Sequence, residues 1–230
     1  MTWHVDLDAL ALERGKHNRR KDGVDIMEAV AWLAGEPHSD HPRRASEVIA
    51  AGMRSWNDDL ADGPRQQLMV YVPLLVGTNA PIAVELTRAW MALDSLVREH
   101  TLTWLREAGA IDVADRLASG ATIHDDASAD AIFPLLNEAM QEATIRWAAN
   151  GGKKWTEARA AIGASGGVAL WRVVSESRAA ESAAIDAARA TSGQASAAAA
   201  TAGADLDVIV AKLQASTHEL FRRMIATTGG

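Results

Sequence analysis

AAESAAIDAARATSGQASAAAATAGA, residues Ala179 to Ala204, holds fourteen alanines in twenty-six positions and only one large apolar side chain, Ile185. Alanine loses no side-chain entropy in a helix and is depleted in strands. The bias extends over the chain: 47 of 230 residues are alanine, aromatics make up 5%, and Trp (8) outnumbers Tyr (1) and Phe (2). The composition predicts an all-α fold, a helical bundle with an alanine-rich tetrapeptide-repeat segment, and more than about 60% helix where one third is usual.

The repeat has a period of four. Taking every fourth residue from Ala148 to Ala200, eleven of fourteen are Ala, Gly, Ser or Thr. Four residues at about 100° each advance about 400°, so the small-residue stripe drifts about 40° per repeat and spirals around a straight helix. Such a stripe is accommodated either by breaking the helix, for which Gly163, Gly166-Gly167 and Gly193 are candidates, or by surrounding it with neighbours. An alanine buries little area at about 25 cal/mol per Å², so the segment must dock very closely or stay mobile; close docking within the protein or a homo-oligomer is expected.

Working outward, Asp25 to Gly35 reads as a short buried helix stopped by a glycine suited to the C′ position. A second helix is expected from about Arg43 to Leu60, capped by Ser39 or Asp40 and beginning near Pro42. Gly63-Pro64 restarts the chain, and Gly77-Thr78-Asn79-Ala80-Pro81 stops and restarts it again. Leu86, Trp90, Leu93, Val97, Thr101 and Trp104 then follow a 4-3-4-4-3 spacing that predicts one long helix ending at Gly109. Further helices are expected over Ile111 to Leu117, Ala129 to Trp147 and Leu206 to Ala226, with Thr227 to Gly230 as a frayed tail. Trp3 to Gly15 fits a short helix or an extended arm, and Lys16 to Lys21 a solvated basic loop. The organisation expected is a helical N-terminal domain over 1–150, with the alanine-rich segment and C-terminal helix, 151–230, packed on it.

Charge and residue usage exclude several classes. The net charge is −7, which disfavours nucleic acid and an anionic membrane as partners. No cysteine is present, which removes disulfides, Cys-based zinc sites, iron–sulfur clusters and thiol nucleophiles. No apolar run approaches the roughly 20 residues that cross a bilayer, and a cytoplasmic protein is expected. No Gly-x-Ser-x-Gly elbow, GxGxxG or Walker A loop occurs in a fitting context, so neither catalytic residues nor a cofactor are assigned.

The densest polar constellation is Glu36-Pro37-His38-Ser39-Asp40-His41-Pro42, with Glu28 upstream. Imidazole and carboxylate suit zinc, manganese or iron, so Glu28, Glu36, His38, Asp40 and His41 are the candidate metal ligands. Their spacing is not that of two ligands on one helical face, and the competing reading is a capped turn. His100 reads as a half-buried residue of the long helix; His4, His17, His124 and His218 are assigned no role.

Met27 to Glu36, Ser39-Asp40-His41-Pro42, Arg54 to Asp58 and Val72 to Thr78 together resemble a module found in uncharacterised bacterial proteins of actinobacterial type, which often continue into alanine/tryptophan repeats. The resemblance covers about residues 15–80 well and implies an organisation, with no activity attached. The pattern often carries cysteines where this chain has Asp25 and Arg44, which implies that these two positions are neighbours forming a charge pair. The function expected is a non-enzymatic helical scaffold or interaction protein, with a protein partner or self-association through the alanine-rich segment. The alternative is a metal-dependent hydrolase using the Glu36–His41 cluster.

Overall fold

The computed structural model describes residue 7 and residues 9–177 and 183–228, and 73% of these are helical. The parts of the first segment at 1–6 and 8, of the alanine-rich stretch at 178–182, and of the tail at 229–230 lie outside the described residues. The chain runs through α1 (Ile26–Leu33), α2 (Glu47–Asp59), α3 (Asp62–Gln66), a 3₁₀ turn, α4 (Val72–Leu75), α5 (Ile82–Ser95), a π-helical segment (Leu96–Thr101) and α6 (Leu102–Glu107). It continues with α7 (Ile111–Ala118), α8 (Asp126–Ala149), α9 (Trp155–Ser165), α10 (Gly167–Glu176), α11 (Ala183–Ala202) and α12 (Leu206–Ala226). Among the described residues there is no strand, and the fold is an all-α bundle.

Four helices start where a side chain accepts from a first-turn amide that would otherwise be unpaired. Asp25, Ser46, Asp125 and Asp205 cap α1, α2, α8 and α12 in this way. The second helix therefore begins at Glu47 and not near Pro42, and its cap is Ser46, whose Oγ accepts from Ile49 N at 3.2 Å. The expected caps serve elsewhere: Ser39 Oγ accepts from His41 N, and Asp40 binds Lys16 Nζ at 2.8 Å. The intervening amides of Arg43 and Arg44 are taken by Glu36, at 2.7 and 3.0 Å, which holds residues 43–44 out of the helix. Gly35 ends α1 at φ +72, with Glu36 N bonded to Ala31 O, as a helix-terminating glycine does. Residues 9–13 are non-helical, and Gln66 clamps this arm by bonding both Leu12 N and Leu12 O.

The alanine-rich helix α11 lies inside the bundle. It packs on α8, α9, α10, α6 and the π-helical segment. Ala184, Ala188, Ser192, Ser196 and Ala200, which share one four-residue register, are all buried, and so are Ala187, Thr191, Ala195 and Ala199 on the adjacent register. Small side chains let neighbouring backbones approach from several directions, which is how a drifting stripe is kept dry. The Thr191 hydroxyl lies 2.9 Å from Leu136 O, tying α11 to α8. Among the described residues the repeat is broken at 150–154 between α8 and α9, at Gly166 between α9 and α10, and after Glu176, whereas Gly163 and Gly193 stay within helices. The large side chains Trp56, Trp104, Tyr71 and Phe221 are fully buried, with Trp56, Tyr71 and Phe221 grouped around His218, and one apolar cluster runs from Leu12 to Met224.

This packing makes α11 intolerant of bulk. Ala188→Leu adds three carbons at a site with no exposure and is expected to destabilise by about 1–3 kcal/mol, with the urea midpoint as readout. An unchanged midpoint would mean that the site has room.

Candidate functional site

The candidate ligands do not converge. Glu28 on α1 is completely buried and sits at the centre of one network, while Glu36, Asp40 and His41 each face other partners. Glu28 Oε1 accepts from His17 N at 2.7 Å; Oε2 accepts from His17 Nδ1 at 2.9 Å and from Asp25 N at 2.9 Å. His38 Nε2 lies 3.5 Å from Glu28 Oε1 and 3.0 Å from His17 O. A carbonyl oxygen can only accept, so His38 carries a proton on Nε2, and its buried Nδ1 has no hydrogen-bond partner. Glu28 and His38 thus meet, joined by His17.

The sequence assigns His17 no role, yet the structure places it at this junction. Its ring stands between two carboxylates, with Glu13 Oε2 3.7 Å from Nε2. Gly23 leaves space for this pair: at φ +124, an added Cβ would fall 2.6 Å from His17 Nε2 and 2.8 Å from Glu13 Oε2. The glycine inside a basic stretch was the available signal. The basic segment also contributes Lys16, held on Asp40, while Arg54 donates to Asp40 O at 2.8 Å. His41 is exposed and only approaches Asp40, at 3.8 Å. Among the described residues no group of three His, Cys, Asp or Glu side chains is placed to hold a metal ion.

Asp25 and Arg44 form no ion pair. Asp25 is buried under α1 as its cap, whereas Arg44 is exposed and anchors the 77–79 turn through its carbonyl. Burial pushes the Asp25 carboxyl up to about 7, against the lowering effect of its bond from the Glu28 amide, with Glu28 and Asp40 raising it further. A carboxyl that holds its proton more tightly when folded stabilises the fold at low pH and loses that contribution as pH rises from about 4 to about 7. Asparagine caps equally well and cannot ionise. Asp25→Asn is therefore expected to gain stability relative to the parent across that window, by up to about 1.4 kcal/mol per pH unit. Parallel stability-against-pH curves for the two proteins would contradict this.

A second cluster surrounds His100. The expected long helix is present from Ile82 to Glu107, but its middle turn, Leu96–Thr101, is π-helical, with Thr101 Oγ1 donating to Leu96 O at 2.9 Å. Such widened turns are frequent at functional sites. The consecutive four-residue steps Leu93, Val97, Thr101 coincide with it. His100 is fully buried rather than half-buried, and burial pushes its pKa down to about 4, so it is neutral. The Thr217 hydroxyl donates to Ser165 O at 2.9 Å, so the 3.1 Å contact with His100 Nε2 requires the ring to donate there. His100 Nδ1 is left as a buried lone pair without a donor. It lies beneath Gly167, where an added Cβ would come within 3.3 Å of it.

Gly167 also floors an open cleft of about 510 Å³ between α9, α10 and α11, rimmed by Arg159, Arg172 and Arg189 with Trp155 and Trp171. No family model, curated protein or solved structure matches the chain. No helix among the described residues is long and apolar enough to cross a membrane.

Proposed function

We propose that this protein is a non-enzymatic helical scaffold that acts by binding. The observation that supports this reading is the use made of Glu28: it is completely buried, and two backbone amides and an imidazole of its own chain occupy its oxygens. A hydrolytic carboxylate needs access to substrate or to a metal-bound water. Glu28 instead pins the 13–23 loop onto α1, and Glu36 pins residues 43–44. The small-residue faces of α11 are covered by the chain's own helices, so a partner or second copy would be met on other surface. The test is elemental analysis of purified protein, with melting measured before and after a chelator. No stoichiometric zinc or manganese and an unshifted melting temperature are expected. A retained metal, with hydrolytic turnover lost in Glu36→Gln and His41→Gln, would establish the hydrolase alternative instead.

A further inference from the structure

The cleft between α9, α10 and α11 combines features that the helical packing alone does not require. Arg172 and Arg189 both lie over the Trp171 ring, at 4.8 and 5.1 Å from its centroid, so two cations are held on one indole. Neither is neutralised well: Arg189 reaches only the exposed Asp186, at 3.8 Å, and Arg172 forms no ion pair among the described residues. Arg159 is on the same rim and is likewise without an ion pair among the described residues. Arg159 and Arg172 also feel the largely buried Asp59, whose carboxyl is pushed up mainly by burial and then by Asp58 against the lowering pull of Arg14, Arg159 and Arg172. Gathering guanidinium groups that repel one another is unfavourable unless an anion completes the site.

Two donors on residues of the cleft wall have no hydrogen-bond partner. Ser192 is 2% exposed and its Oγ has no hydrogen-bond partner, and the buried Trp171 Nε1 has none either. Both residues line the cleft. A buried hydroxyl or indole N–H without a partner costs stability. Beside the polar group lie Leu96, Ile162 and Val168, and the half-exposed Trp155 closes the side. The volume, about 510 Å³, falls within the range of small organic ligand sites and exceeds what a bare inorganic anion fills.

We propose that this cleft binds a small organic phosphate, with the phosphate held by Arg159, Arg172 and Arg189 and an aromatic body lying against Trp155. Three guanidinium forks match a phosphate dianion better than a single carboxylate, because they offer more positive charge and more paired N–H donors than one carboxylate can use. Trp171 is engaged by the two arginines, which leaves the half-exposed Trp155, tilted against Trp147 with ring centroids 6.1 Å apart, as the aromatic surface open to a ligand. The assignment is independent of whether the chain also docks a protein.

The experiment is calorimetric titration of the full chain with adenosine monophosphate, inorganic phosphate, adenosine and benzoate as separate probes. Adenosine monophosphate should bind saturably and weaken as salt is raised. Inorganic phosphate should bind more weakly at the same place, and adenosine and benzoate weaker still. Arg172→Gln/Arg189→Gln changes only exposed side chains; its urea midpoint should match the parent while its affinity for adenosine monophosphate falls at least about tenfold. Trp155→Leu should weaken adenosine monophosphate and leave inorganic phosphate unaffected. No saturable heat at millimolar adenosine monophosphate, equal binding of adenosine or benzoate, or undiminished binding by the folded double-arginine variant would overturn the proposal.

Discussion

Glu28→Ala is expected to cost about 3–5 kcal/mol. The substitution removes a small amount of volume but leaves His17 N, His17 Nδ1 and Asp25 N without the acceptor that each now bonds within 2.7 to 2.9 Å. Each unsatisfied buried donor costs about 1–3 kcal/mol, and the sum is reduced by relaxation of the loop into water. Glu28→Gln tests the same point with the shape retained: its amide nitrogen would face a donor, so a cost of about 2 kcal/mol or more is expected. Urea unfolding of both variants is the measurement. A loss below about 1 kcal/mol in Glu28→Ala would show that the loop is held by other contacts and would reopen Glu28 for chemistry.

Gly166→Ala should be the most damaging single-methyl change, at about 2–4 kcal/mol. Gly166 sits at φ +93, a region disfavoured for alanine, and its added Cβ would fall 2.5 Å from Thr217 Cγ2. Relief would have to come from Thr217, which bonds both Ser165 O and His100. Thr217→Ala on its own removes that bridge and opens space. In the double variant the steric part should disappear while the backbone strain of about 1 kcal/mol remains, giving a favourable coupling in a double-mutant cycle. Simple additivity of the two changes would mean that Thr217 is not what limits this position.

The two effects differ in how far they could be read without coordinates. A helix start at Asp25 with Glu28 three residues on is a local pattern, and the capping box forms as that spacing allows. That His17 and the 13–23 loop would fold over the same carboxylate depends on a turn whose shape is not encoded in helix periodicity. Ser46 displaced Ser39 and Asp40 as the cap of α2 for a similar reason. Glu36, seven and eight residues before the amides it binds, outcompetes the local acceptors, and only tertiary placement brings it there.

Gly166-Gly167 was legible as a break, but the neighbour that demands glycine, Thr217, is some fifty residues away. The arginine-lined cleft was not legible at all. Arg159 and Arg172 belong to helices joined at Gly166, and Arg189 comes from α11. Charges on a helical repeat read as a solvated face, and it is the bend at Gly166 and the packing of α11 that set these three around one cleft.

By itself the sequence determined the helical class and most helix ends, because alanine content, three-to-four apolar spacing and glycine or capping residues act through the backbone within a turn or two. It also limited the alanine-rich stretch to docking closely or staying mobile, since small side chains can secure a helix only at short distance. Tertiary structure alone decided what encloses α11, which carboxylate the histidines share, and where three arginines meet. Each of these depends on side chains far apart in the chain, brought together by burying one common apolar core.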